Sequence, residues 1–295
     1  MTGEILCRDG QKMSLFIFKS LIRRLIPKKY HTQVANSYIR WKCFGFKFKC
    51  PFCRGHFRKL LPAGLDFPVL KEKNVVGGGY RLNATCPHCY SSDRERLIYL
   101  YLKNKTNLFY ENLKLLHVAP EENLQKILMV WTNIDYISAD LDSPLAMIKM
   151  DITKIPYKAN CFDVIICNHV LEHIPNDRQA MSDLYRVLKP GGWAILQVPI
   201  SLSLDRTYED PTTTAPDERE ERFGQSDHVR IYAKDYKDRL ENVGFTVDVY
   251  SFREEFGDST INKYALAKDE DLYLASKSRW STARVGPEKG AVVID

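Results

Sequence analysis

From residue 113 onward, short apolar runs alternate with stretches of helical period. The runs 113–118, 135–138, 162–167 and 193–198 have the length and β-branched content of buried strands. Between them, 121–130 and 177–188 space their apolar residues for one face of a helix. A further helical pattern at 93–104 precedes the series, and another at 233–242 stops at Gly244. Runs at 246–251 and 271–275 complete it. Strands separated by helices predict a parallel α/β sheet with right-handed crossovers. Two regions break the alternation: the first 92 residues, and a polar insertion over about 203–230 that is rich in Asp, Glu and Thr. Near the start, Leu15, Phe18, Ile22 and Leu25 recur at helical spacing, with Lys19, Ser20, Arg23 and Arg24 opposite and Pro27 as the stop. Its three-turn length favours packing on its own domain, and its basic face also suits the anionic inner face of a membrane.

Composition narrows the class. The 295 residues accommodate one large domain and a small one, and 44% hydrophobic with 27% charged residues is ordinary for a globular chain. The net charge of +6 is unevenly spread, because residues 1–60 hold fourteen Lys and Arg against two acids. A polyanionic partner therefore belongs at the N-terminal end. Lys19, Arg23 and Arg24 interrupt the apolar stretch there, which argues against a secretory signal. With no run of about 18 apolar residues, a cytoplasmic location is expected.

Four of the eight cysteines form two pairs, Cys50-Pro51-Phe52-Cys53 and Cys86-Pro87-His88-Cys89, separated by 32 residues that include Gly77-Gly78-Gly79. Each pair can fold as a knuckle, and four thiolates on one ion make a closed tetrahedral zinc site of structural type. Cys50, Cys53, Cys86 and Cys89 are the expected ligands, with Cys43, His56 and His88 as substitutes. The expected organisation is a basic segment over 1–40, a zinc-ribbon-like module over 41–92, the α/β domain over 93–278 and a tail over 279–295.

In such a sheet, ligands bind beyond the carboxyl ends of the strands. Three ends carry polar residues: His117-Val118-Ala119-Pro120-Glu121, Ser138-Ala139-Asp140, and Met150-Asp151-Ile152. Asp140 lies 22 residues past Val118, near the interval at which a carboxylate accepts both hydroxyls of a ribose. Asp151 beside apolar Ile152 suits an adenine amine and ring. The alternative, ranked behind, is that these acids cap the helices that follow.

Phe162-Asp163-Val164-Ile165 through Leu171-Glu172-His173, and Arg186-Val187-Leu188-Lys189-Pro190-Gly191-Gly192, resemble the signature stretches of class I S-adenosylmethionine-dependent methyltransferases of the type 11 group. The Cys knuckles, with His117 to Glu121 and Asp227-His228-Val229-Arg230, resemble a bacterial subfamily of unassigned substrate. The resemblance spans roughly 40–276. It implies a Rossmann-like seven-stranded sheet, six strands parallel and one antiparallel, and S-adenosylmethionine as cofactor. His117, Ala119, Glu121, Asp140, Asp151, Ile152, Asn168 and His169 are the cofactor-binding candidates. One departure stands out: Ala119-Pro120-Glu121 replaces the usual glycine-rich turn after the first strand.

His169-Val170-Leu171-Glu172-His173 also matches H-x-x-E-H, but it follows a buried strand and does not open a long helix, so a metalloprotease is rejected. Methyl transfer needs an aligned nucleophile, and a hydroxyl acceptor also needs a base. His228, His169 and His173 are the candidates, with His228 ahead because it sits in the polar insertion, where a substrate lid is expected. A sugar, glycan or other small, even lipid-linked, acceptor is the expected partner. RNA, gripped by the knuckles, ranks behind because the insertion is acidic and Asn168-His169-Val170-Leu171 is unlike the Asn-Pro-Pro-Tyr motif used on base amines. A fold retained only for binding is the third reading.

Overall fold

The computed structural model describes residues 27–279; the basic helix expected over 14–26 and the tail from residue 280 lie outside the described residues. Helix α1 (His31–Cys43) leads into β1 (Phe44–Lys49), which pairs back on β2 (His56–Phe57). Beyond β3 (Leu61–Ala63) the chain passes through α2 (Pro68–Glu72) and β4 (Val75–Val76) before β5 (Arg81–Thr85) returns antiparallel to β3. The first Cys pair forms the turn between β1 and β2, and the second directly follows β5. Cys50 N donates to Gly55 O at 2.9 Å, Cys86 N donates to Ser91 O at 2.9 Å, and His88 N reaches Cys86 Sγ at 3.4 Å. The knuckles face one another, with Cys50 and Cys89 sulfurs 3.6 Å apart and those of Cys53 and Cys86 3.7 Å apart.

Ser92 starts α3 (Asp93–Lys105) through a reciprocal cap with Glu95. Then follow β6 (Leu113–Val118), α4 (Glu122–Leu128), β7 (Ile134–Asp140), β8 (Ile148–Lys149), β9 (Phe162–Asn168), α5 (Asp177–Val187) and β10 (Leu188–Gln197). The insertion comprises β11 (Ile200–Ser201), β12 (Tyr208–Glu209), α6 (Pro216–Phe223) and β13 (Arg230–Ile231). The chain ends its sheet through α7 (Tyr236–Glu241), β14 (Thr246–Tyr250), α8 (Phe252–Tyr264) and β15 (Leu272–Ser276). The sheet order is β14-β15-β10-β9-β6-β7-β8, with β15 alone antiparallel to its neighbours. The expected seven strands, six parallel and one antiparallel, are all present.

Alternate residues along each central strand feed cores on opposite faces. Leu116, Ile165, Ala194 and Leu196 pack on one side with Met181 and Leu184 of α5; Leu115, Val164, Ile166 and Ile195 pack on the other with Leu97 of α3 and Leu124 of α4. Burial on both faces is why these strands read as continuous apolar runs. The helical period does not single out α8, because Gly257 at φ 72° interrupts it. Helix α7 starts later than expected, since Tyr232 and Ala233 are buried in the extended segment before it. No helix among the described residues is long and apolar enough to cross a membrane.

Two long-range anchors stand out among the contacts that join the Cys module to the rest of the fold. The segment around β4 pairs with β11, Val76 opposite Ile200 and Val75 opposite Ser201, and Phe223 of α6 packs on Val69 and Leu70. The second contact is Arg96, wholly buried in α3. Its guanidinium donates to Tyr264 O at 2.8 Å, Ser91 O at 2.8 Å and Ala265 O at 2.7 Å, spanning the second knuckle and the end of α8. Replacing it by Met strands these buried carbonyls, each worth about 1–3 kcal/mol when left unpaired. Arg96→Met is expected to lower the thermal midpoint by on the order of 5–10 °C in calorimetry. An unchanged midpoint would refute this joint.

Candidate functional site

The site lies where β6 and β9 end side by side. Two residues there leave the sheet in the left-handed region, Ala119 at φ 47° and His169 at φ 52°. Ala119 N donates to Ala139 O and His169 N to Gln197 O, each at 2.8 Å, so the neighbouring strands hold both sharp exits. Such backbone favours glycine and marks sites where geometry outweighs comfort. Ala119 thus keeps the conformation that the missing glycine turn would adopt.

Below it runs a chain of hydrogen bonds. Tyr136 Oη is 2.9 Å from His117 Nδ1, His117 Nε2 is 2.8 Å from Glu121 Oε2, and Asn168 Nδ2 donates to Glu121 Oε1 at 2.6 Å. Burial alone would raise the Glu121 carboxyl, but His117 and Asn168 outweigh it and hold the group below the usual carboxylate range. A fixed negative charge results at the mouth of β6.

The acids of the neighbouring ends are partly occupied. Asp140 Oδ1 accepts from Asp142 N at 2.8 Å and Ser143 N at 2.7 Å, which shapes the loop after β7 and leaves Oδ2 without a partner among the described residues. Asp151 is exposed, and its Oδ1 takes both the backbone N and the hydroxyl of Thr153 at 2.8 Å, the capping arrangement. The backbone bond from Thr153 lowers its carboxyl. Ile152 points inward and is buried with Met150 and Ile155.

Beyond Asn168, several polar side chains meet without satisfying one another. His169 Nδ1 lies 3.2 Å from Glu172 Oε1, and its Nε2 is 3.8 Å from Glu270 Oε1. Glu172 and Glu270 are 2% and 5% exposed, too enclosed for water to compensate them freely. Arg94, at the start of α3, faces both carboxylates, and burial lowers its pKa in spite of them. The buried side-chain polar atoms that lack any partner among the described residues are Arg94 Nε, Asn168 Oδ1, His169 Nε2, Glu172 Oε2 and both Glu270 oxygens. They belong to this one cluster. Folded chains pair such atoms, so a concentrated deficit marks a candidate place for water, an ion or a ligand to supply the partners.

Gly77 forms the roof: a Cβ there would stand 3.2 Å from Glu270 Oε1 and 3.4 Å from His169 Cε1. Arg81 fixes this loop through Gly79 O at 2.9 Å and a two-pronged pair with Asp93 at 2.7 and 3.1 Å. On the far side of the roof opens a cavity of about 470 Å³ lined by Gly77, Arg81, Asp93, Ile261, Leu266 and Asp269.

The lid approaches from the other direction. Arg230 donates to Leu171 O at 3.0 Å and Pro175 O at 2.9 Å, and Val229 N donates to Glu172 O at 3.0 Å. His228 is thereby brought edge-on to His173, ring centres 4.6 Å apart, while His173 Nδ1 sits 3.2 Å from Asp227 Oδ2. Burial pushes the His228 imidazole down to about 4, so it is neutral near pH 7 and a weak proton acceptor. His169 is better placed, at the strand mouth and between two carboxylates.

Three site residues escape sequence reasoning. Arg94 is hidden in the run Asp93-Arg94-Glu95-Arg96, which reads as a solvated helix start, and Glu270 in Lys268-Asp269-Glu270-Asp271, which reads as a surface turn. Gly77 is visible only as part of a glycine triplet. That triplet is the one signal of close approach.

The four module sulfurs offer a different chemistry, since Cys50, Cys53, Cys86 and Cys89 place them all within 4.8 Å of one another. Hydrogen bonds from Cys53, Cys86 and Cys89 hold the Cys50 thiol far below its usual range, while the same contacts raise Cys86. Such crowding suits a shared cation. Cys43, His56 and His88 are not in the group.

Residues 124–196 match the family described as "Methyltransferase domain", of the type 11 group. That stretch begins after the altered Ala119 turn. Among similar solved structures are an S-adenosylmethionine-dependent methyltransferase from Archaeoglobus fulgidus, with 15% identity over 63% of this chain and 95% of that one and a TM-score of 0.42. The [4+2]-cyclase SpnF is 15% identical over 73% and 99%, with a TM-score of 0.43. The YcgJ protein of Bacillus subtilis is 12% identical over 62% and 98%, with a TM-score of 0.39. No curated protein matches the sequence. The strand order and the family match agree: the seven-stranded sheet has the Rossmann-like methyltransferase fold, and residues 124–196 within it resemble the type 11 methyltransferase domain.

Proposed function

We propose that the chain is an S-adenosylmethionine-dependent methyltransferase that methylates a hydroxyl of a sugar, glycan or other small acceptor. The cluster of unpartnered buried polar atoms around Asn168 and His169 carries this reading. Its chemistry fits the cofactor. Arg94 offers a partly buried cation for a carboxylate, Glu121 a fixed anion for an ammonium group, and Asp140 Oδ2 an acceptor for a ribose hydroxyl. When bound, S-adenosylmethionine supplies a methyl group on sulfonium for in-line displacement. Asn168 and His169 border the place where an acceptor would enter, and His169 Nε2 is free to take its proton. The Gly77 roof and the lid clasped to the loop after β9 would limit the access of water to that place. These enclosing walls favour a small acceptor.

RNA is the second reading, favoured by Trp41, Phe44 and Phe46, exposed beside Lys42 and Lys47. Aromatic faces among cations suit single strands. Labelled methyl groups supplied to cell extracts are expected to enter glycan or small-molecule fractions, and label confined to RNA would reverse the order. Because a lost hydrogen bond to a charged group costs about 1.5–3 kcal/mol, Asp140→Ala and Arg94→Met should each weaken cofactor binding about tenfold or more in calorimetry. Unchanged affinity in folded variants would remove those roles.

The Cys module is assigned one structural zinc ion, since four thiolates leave it no open position. Cys86→Ser is expected to release that zinc and destabilise the module, as read by metal analysis and melting. Zinc retained at full occupancy would contradict the ligand set.

A further inference from the structure

Outside the Cys module, one other group of side chains is arranged as metal ligands. Glu172, His173 and His228 each place one ligand atom within 4.8 Å of the others. Glu172 and His228 are 2% and 5% exposed. The observation that points to an occupant is Glu172 Oε2, buried without any partner, while its Oε1 is engaged by His169 at 3.2 Å. His228 has no hydrogen bond to its ring among the described residues. His173 has one ring nitrogen on a carboxylate, Asp227, at 3.2 Å. That support is typical of a ligating imidazole, because it fixes the tautomer and raises the basicity of the other nitrogen.

We propose that Glu172, His173 and His228 form a second metal site, for a divalent transition ion of the zinc, manganese or iron kind. Two imidazoles with one carboxylate suit such ions, whereas magnesium and calcium prefer oxygen alone. Three protein ligands leave positions open, unlike the closed Cys set. The pentad His169 to His173 is not used as a protease helix would use it. It forms a short turn over Leu171–His173, His169 turns toward Glu270, and the third ligand comes from the lid. An ion here would tie the lid at His228 to the loop after β9, next to His169. If the methyl transfer proposed above holds, the ion is placed to hold and polarise the acceptor hydroxyl; the binding itself rests on no assumption about that reaction.

Cobalt titration of the full-length chain, stripped of metal, tests this. Two equivalents are expected to bind, one with the intense sulfur-to-cobalt absorption of the Cys set and one without it. Glu172→Gln and His228→Asn are expected to keep the first and lose the second, and Asp227→Asn to weaken the second roughly tenfold or more. Retention of the sulfur band reports that each variant is folded. Unmutated protein gives an independent reading: pulsed electron paramagnetic resonance of copper in the second site should show two imidazole nitrogens. Uptake of the thiolate-bound equivalent alone, a second equivalent that survives both substitutions, or copper spectra without imidazole would each overturn the site. Because metal uptake is read without methyl transfer, loss of activity and loss of this site remain separable.

Discussion

Parallel strands β6 and β9 lie side by side, yet β6 pairs onward to β7 and β9 to β10, so the chain leaves them in opposite directions. A crevice must open between the two exits, at the carboxyl ends where backbone N–H groups and loops converge. Everything functional follows from the way these exits are held. Ala119 and His169 both take left-handed backbone there, and each is locked by a bond to the strand alongside. Both exits are therefore braced by the sheet itself, which favours the alignment that a displacement reaction needs.

The added parts complete this crevice. The Cys module reaches the sheet through Arg96 and through the β4–β11 pairing, and between those fixed points its Gly77 loop crosses above His169 and Glu270. A side chain at Gly77 would press on both groups, so the triplet is a packing requirement as well as a turn. The lid is fastened by Arg230 to the carbonyls of the loop after β9. Module and lid also share the cluster of Phe223, Leu70 and Ile231. Movement of one would disturb the other.

The sheet was legible because its strands are buried on both faces and so read as apolar runs, with β9 and β10 the clearest. Asn168 and His169 stood out by their place at the carboxyl end of β9, and the clustered cysteines by spacing alone. Arg94 and Glu270 were not legible, since a charge inside a charged run looks solvated until tertiary packing buries it. The chain between β4 and the lid was equally opaque: Val75-Val76 and Ile200-Ser201 are too short for periodicity to register, and their pairing is long-range. Asp151 and Asp140 show the remaining ambiguity. A carboxylate after a strand reads the same whether it binds a ligand or caps a turn, and here both cap, with only Asp140 keeping an oxygen to spare in a partly buried setting.

Charge completes the picture. Glu121 and Glu172 are held in their ionised form by neighbours that outweigh their burial, while Arg94 is a cation that faces this side of the cluster. A net negative crevice of low dielectric attracts a cation more strongly than a neutral molecule of the same shape. A sulfonium cofactor carries that positive charge before methyl transfer and its thioether product does not. If the chain uses that cofactor as proposed above, the same carboxylates would hold the charged donor more tightly than the spent product, which favours binding before reaction and release after it.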